Sequence, residues 1–111
     1  MSGKFELKIA GNGQIMFNLL AANGQVILSS ETYKARASAL NGVESVKKNA
    51  GEPHRFAFHV SSNGRHYFTL KAANGQIIGT SQMYSSPDSA RQGMLSCQTH
   101  AQGASVEDLT R

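Results

Sequence analysis

Few side chains in this 111-residue chain have the chemistry of a reactive or metal site. The soft metal ligands are His54, His59, His66 and His100, together with the single cysteine, Cys97. Cys97 and His100 stand three apart, on one face of a helix. A structural zinc site needs four ligands, commonly in close pairs, and no Cys-x-x-Cys is present. Cys97 reads instead as a small core residue. A nucleophile requires a base within hydrogen-bond reach and a third group to orient it. The glycine-rich Gly11-Asn12-Gly13 offers no phosphate cradle, since it joins two strands instead of opening a helix. No metal, cofactor or catalytic residue is expected.

The comparison that decides this lies inside the chain. Ala21-Ala22-Asn23-Gly24-Gln25-Val26-Ile27 returns as Ala72-Ala73-Asn74-Gly75-Gln76-Ile77-Ile78, and the same offset of 51 aligns residues 4–51 with 55–102 without a gap. Of those 48 pairs 18 are identical, several times chance, so the chain is a tandem duplication. Its acids do not survive the copying: Glu6 becomes Ala57, Glu31 becomes Gln82 and Glu44 becomes Leu95. That argues against an acid or base used twice. A single domain over 1–111 is expected, with repeats at 4–51 and 55–102 and a C-terminal strand or tail at 103–111. Units of about 50 residues sit near the limit of independent stability, so the halves should share a core or an unbroken sheet.

Each repeat reads as βββα. Phe5, Leu7 and Ile9 alternate with Lys4, Glu6 and Lys8, as Phe56, Phe58 and Val60 do in the second copy. Ile15, Phe17, Leu19 and Ala21 follow, matched by His66, Phe68, Leu70 and Ala72. A three-residue first loop pairs Leu7 with Phe17 and Phe5 with Leu19 on one face, which predicts left-handed glycines at 13 and 64. At the second turn, Asn23-Gly24 and Asn74-Gly75 read as two-residue type I′ loops, pairing Ala21 with Val26 and Leu19 with Leu28. Helices follow. Ser86-Pro87-Asp88-Ser89 opens the second with a cap and an N-terminal proline, and Ala90, Met94 and Cys97 recur at helical spacing. The first carries Ala39, Val43 and Val46, with Glu44 four residues before Lys48 and a Lys47-Lys48 pair suited to a helix C-terminus. One apolar stripe per helix and one apolar sheet face predict an α+β fold, an antiparallel sheet with two helices on one face and pseudo-twofold symmetry. Residues 104–109 read as a last strand.

Composition sets further bounds. A hydrophobic fraction of 40% is ordinary for a soluble protein, and no apolar run approaches the roughly 18 residues a membrane span needs. The N-terminal residues lack an apolar signal core, and one cysteine excludes a disulfide framework; a cytoplasmic location is the expectation. The net charge of +4 is scattered along the chain.

The phrases Phe17-x-Leu19-x-Ala21-Ala22-Asn23-Gly24-Gln25-x-Ile27, Ser30-Glu31-x-Tyr33 and Asn41-Gly42-Val43-Glu44-Ser45-Val46-Lys47-x-Asn49-Ala50 resemble the YegP-like family of small uncharacterised bacterial proteins. The second copy matches in Phe68-x-Leu70-x-Ala72-Ala73-Asn74-Gly75-Gln76-x-Ile78 and Ser81-Gln82-x-Tyr84. The resemblance implies a tandem βββα unit assembled around one antiparallel sheet, as single-unit members would do by dimerising, and implies no known activity. The departure is Met94-Leu95-Ser96-Cys97-Gln98, which has lost the lysine pair.

A residue kept in both copies serves the fold or a site used twice. Gln25/Gln76, Ser30/Ser81, Tyr33/Tyr84 and Ser45/Ser96 are not forced by turn or core; local hydrogen bonding is the leading account and a paired site the alternative. On the face away from the helices, Met16, Leu20, Ile27, Tyr67 and Ile78 form a candidate interaction surface for a protein or small ligand. Lys4, Lys8, Arg65 and Lys71 beside Tyr67 support the rival reading, weak, sequence-tolerant nucleic-acid binding. The sequence thus reads as a non-catalytic binding or interaction module without a membrane partner, nucleic-acid binding second, an enzyme with its site in one repeat third.

Overall fold

The computed structural model describes residues 3–110. In chain order it forms β1 (Lys4–Ile9), β2 (Ile15–Leu20), β3 (Val26–Ser29), α1 (Arg36–Ala50), a 3-10 turn (Pro53–Arg55), β4 (Phe56–Val60), β5 (His66–Lys71), β6 (Ile77–Ser81), α2 (Pro87–Ala101) and β7 (Ser105–Asp108). The strands make one seven-stranded sheet in the order β4-β5-β6-β3-β2-β1-β7. A pseudo-twofold runs between β3 and β6, which meet at Ser29 and Thr80, residues related by the 51-residue offset. The sheet is antiparallel except at one edge, where β7 pairs parallel with β1. That corrects the expectation of a purely antiparallel sheet: three antiparallel steps separate β6 from β1, through β3 and β2, so β1 runs opposite to β6, and β7, which also runs opposite to β6, comes to lie parallel with β1.

The first turn forms as the apolar pattern requires. Leu7 pairs with Phe17, Phe5 with Leu19 and Phe58 with Phe68, and Gly13 and Gly64 both have φ of 82°. The second turn differs from its sequence reading. Its closing pair is Ala21–Gln25, not Ala21–Val26, with Gly24 at φ 86° and Asn23 at negative φ; Ala72–Gln76 and Gly75 repeat this. In both turns an asparagine side chain accepts the N–H two residues on, Asn12 from Gln14 and Asn23 from Gln25, each at 3.0 Å. This bond favours a type I turn closed by a left-handed glycine. Such a loop alone would pair Leu19 with Ile27 and turn Leu28 off the core. A register shift between Leu19 and Leu20 restores the Leu19–Leu28 pair, and a shift between Leu70 and Lys71 does the same in the second half. The bulge lets turn chemistry and burial both be satisfied.

Both helices cover one side of the sheet and span the repeat boundary. α1 lies against β2, β5 and β6, and α2 against β5, β3 and β2. Ala39, Val43 and Val46 from α1 and Cys97 and Ala101 from α2 join Phe5, Leu7, Phe17, Leu19, Leu28, Phe68 and Leu70 in one buried cluster. At about 1.5–3 kcal/mol for each large side chain buried, this shared core holds the halves together. Ser86 caps α2 by accepting the Ser89 N–H at 3.1 Å. In α1, Glu44 reaches Lys47 at 3.9 Å instead of Lys48, and the Lys47 ammonium lies 5.9 Å from the centre of the Phe5 ring. No helix among the described residues is long and apolar enough to cross a membrane.

Candidate functional site

The retained polar residues divide into two groups. Ser30 Oγ accepts the Phe17 N–H at 2.8 Å and donates to the Glu31 carbonyl at 2.7 Å; Ser81 Oγ does the same with Phe68 and Gln82, at 2.9 and 2.8 Å. Each hydroxyl thus satisfies a backbone group where its strand leaves the ladder. Tyr33 stacks on Phe17 and Tyr84 on Phe68, and their hydroxyls fill the space that side chains at Gly42 and Gly93 would need. Burial pushes both phenols up, with Glu31 adding to the effect at Tyr33 and Cys97 at Tyr84. These four residues are explained by the fold. Gln25 and Gln76 are exposed, and they line two matched open grooves across the repeat boundary: Gln76 with Glu31 and Tyr33, Gln25 with Gln82 and Tyr84. The grooves differ by a carboxylate, Glu31 against Gln82.

The five apolar residues expected on the open face do not share one exposed surface. Ile27 and Ile78 belong to the buried cluster, and Leu20 is buried as well. All three sit at or beside the bulges, where the extra residue breaks strict in-and-out alternation. Met16 and Tyr67 are half-buried, and Tyr67 stacks on His59 with ring centres 5.0 Å apart. The middle of that face is polar and internally bonded: Ser29 Oγ donates to Asn18 Oδ1 at 2.7 Å, and His59 Nε2 lies 3.0 Å from Thr69 Oγ1. Lys4 is held by Glu107 at 2.9 Å and Glu6 at 3.4 Å, which raise its pKa, Glu107 the more. His100 Nδ1 turns to Ser96 O at 2.8 Å, and Cys97 is fully buried, its thiol pushed up to about 12.

The surface that sequence reasoning missed is the β4 edge. β1 and β4 are equivalents under the pseudo-twofold, but β7 lies outside β1 and no described strand lies outside β4. Leu7 is 0% exposed, whereas Phe58, at the same repeat position, is 50% exposed. Ile9 and Val60, beyond the reach of β7, are both exposed. Beside Phe58 a pocket of about 270 Å³ opens between the edge and the start of α2, lined also by His59, His66, Tyr67, Pro87, Asp88, Ala90 and Arg91. An exposed phenylalanine on an unpaired edge is what folded proteins usually avoid. The sequence did carry one signal of it: the last strand has no counterpart after the first helix.

Comparison with known proteins places the chain in company that matches this architecture. The family model described as "Domain of unknown function (DUF1508)" matches twice, at residues 10–56 and 61–108. Each match takes in two strands and the helix that follows, the first reaching the start of β4 and the second including all of β7. A UPF0339 protein of Mannheimia succiniciproducens is 50% identical over 109 residues, covering 98% of this chain and 96% of that one. The solution NMR structure of the protein of unknown function yegP from E. coli is similar at a TM-score of 0.92 and 42% identity, covering 98% of this chain and 94% of that chain. That of a UPF0339 protein from Shewanella oneidensis gives 0.90 and 47%, covering 98% and 92%.

Proposed function

The chain belongs to the DUF1508 family in its tandem, YegP-like form, and we propose that it acts there as a non-catalytic protein-binding module whose contact surface is the β4 edge with its adjoining pocket. The observation that carries this is the contrast between Leu7, wholly buried, and Phe58, half exposed at the same place in the other repeat. An edge strand supplies unpaired backbone groups, and an exposed aromatic beside a pocket supplies an anchor, the two ingredients of recognition by strand addition. The non-catalytic reading is supported by the loss of each candidate acid between copies and by the buried, protonated thiol of Cys97. The single cysteine, which leaves the chain without a disulfide of its own, fits a reducing compartment, the cytoplasm in this reading.

The test is a photo-crosslinking residue placed at position 58, with the same residue at position 109 as control, expressed in the native cell. A protein adduct specific to position 58 that survives nuclease treatment is expected. An adduct lost with nuclease would favour nucleic acid, as would binding that falls steeply with added salt. No adduct at position 58 would remove the edge from consideration.

A further inference from the structure

We infer that the β4 edge accepts an extended, acidic-apolar segment of a partner protein as an eighth strand running parallel to β4; this deepens the edge-binding reading and rests on it. The molecule itself shows what such a strand looks like. β7 lies parallel to β1 with Val106 opposite Phe5, Glu107 opposite Glu6 and Asp108 opposite Leu7. Glu107 binds Lys4 at 2.9 Å, Asp108 binds Arg36 at 2.7 Å, and the Leu109 N–H donates to the Leu7 carbonyl at 2.9 Å.

The offset carries each of these features to the other edge. β1 with β2 and β4 with β5 pair in the same register, Leu7 with Phe17 and Phe58 with Phe68. The Phe58 carbonyl therefore points outward as the Leu7 carbonyl does, since hydrogen-bonding direction alternates along a strand. Phe56 and Phe58 take the places of Phe5 and Leu7, and Arg55 takes the place of Lys4. Arg55 Nε is buried and makes no hydrogen bond. The position of Arg36 is filled by Pro87, but Arg91 lines the adjoining pocket with Asp88, and Arg55 lies with Lys48 and Glu52, three cations against two acids. The difference between the edges has a simple origin: chain leaving α1 becomes β4 itself, whereas chain leaving α2 crosses to lie beside β1 as β7. The cationic surplus at this edge, on a chain of net charge +4, favours an acidic guest over a second copy of the same molecule.

The probe is a synthetic peptide with the sequence of residues 104–110, titrated into the isotopically labelled full chain, with a nitroxide at one end or the other. Amide shifts should gather on Phe56–Val60 and leave Lys4–Ile9 unmoved, the N-terminal label broadening Arg55 and Phe56 and the C-terminal label Val60. Arg55→Glu should weaken binding about tenfold, and a peptide with lysine in place of the Glu107 equivalent should recover it. Absence of binding, reversed label order, capture only at β1, or association of two β4 edges without peptide would each overturn the inference. If the position-58 adduct forms in cells while the peptide behaves in any of those ways, the edge-binding reading stands and the parallel acidic strand falls.

Discussion

Cys97 shows how burial decides what a side chain can do. Its thiol is pushed up from 9.0 to about 12 by desolvation alone, so it stays protonated and inert in the folded protein where an exposed thiol would ionise. The sign of the linked stability follows. Above about pH 9 the unfolded chain releases this proton and the folded one holds it, so stability falls as pH rises, by up to about 1.4 kcal/mol per pH unit until the folded thiol itself ionises. Tyr33 and Tyr84, also raised, add to the loss from about pH 10. Cys97→Val, which installs the first-repeat residue, should leave stability near pH 7 within about 1.5 kcal/mol and remove the part of the loss that begins near pH 9. Urea unfolding of both proteins at about pH 7 and pH 10 measures it; equal losses in the two would contradict the assignment. At this scale the sequence was readable for Cys97 as a core residue, and less so for Ser30 and Tyr33. Their retention was visible, but the Phe17 N–H and the gap at Gly42 that explain it are tertiary facts.

Between elements, the junction of β3 with β6 poses a problem that exact symmetry cannot solve. Leu28 and its counterpart Gly79 lie next to the pseudo-twofold, and a Cβ on Gly79 would come within 2.5 Å of Leu28 Cδ2. There is room for one leucine near the axis, not two. Gly79→Ala should cost about 1–3 kcal/mol by overpacking and Leu28→Ala about 2–5 kcal/mol by cavity formation. The double variant should cost clearly less than their sum, as read by denaturant melts; additivity within about 0.5 kcal/mol would show that the two do not compete for space. The turns teach the complementary lesson. Asn-Gly between alternating segments suggested a two-residue loop, yet the asparagine side chain bonds the N–H two residues on and sets a longer one. The core pairing of Leu19 with Leu28 was legible because burial enforces it, and the bulge that reconciles the two demands was not.

For the molecule as a whole, the two sheet edges are unequal. One ends in β7, short and carrying Glu107 and Asp108; the other ends in β4 with Phe58 exposed. Charge on an edge discourages strand pairing and a bare aromatic invites it. Truncation after Gly103 should therefore make the edges alike: Leu7 loses its cover, Lys4 loses Glu107 and Arg36 loses Asp108, and the protein should melt lower and associate as concentration rises. Thermal unfolding and light scattering across a concentration series check this. A truncated chain that stays monomeric with an unchanged melting temperature would show that β7 covers nothing of consequence.

The duplication, the βββα order, the core face of Phe5, Leu7, Phe17 and Leu19 and the helix stripes were all written in the sequence, because apolar periodicity and an internal offset are local quantities that survive without coordinates. Which residues end up exposed was settled by tertiary structure. Ile27 and Ile78 were drawn into the core by bulges, and Phe58 was left in the open because β7 lies beside β1 and no described strand lies beside β4. Burial at an edge depends on which strand arrives beside it, and that is fixed by the path of the whole chain.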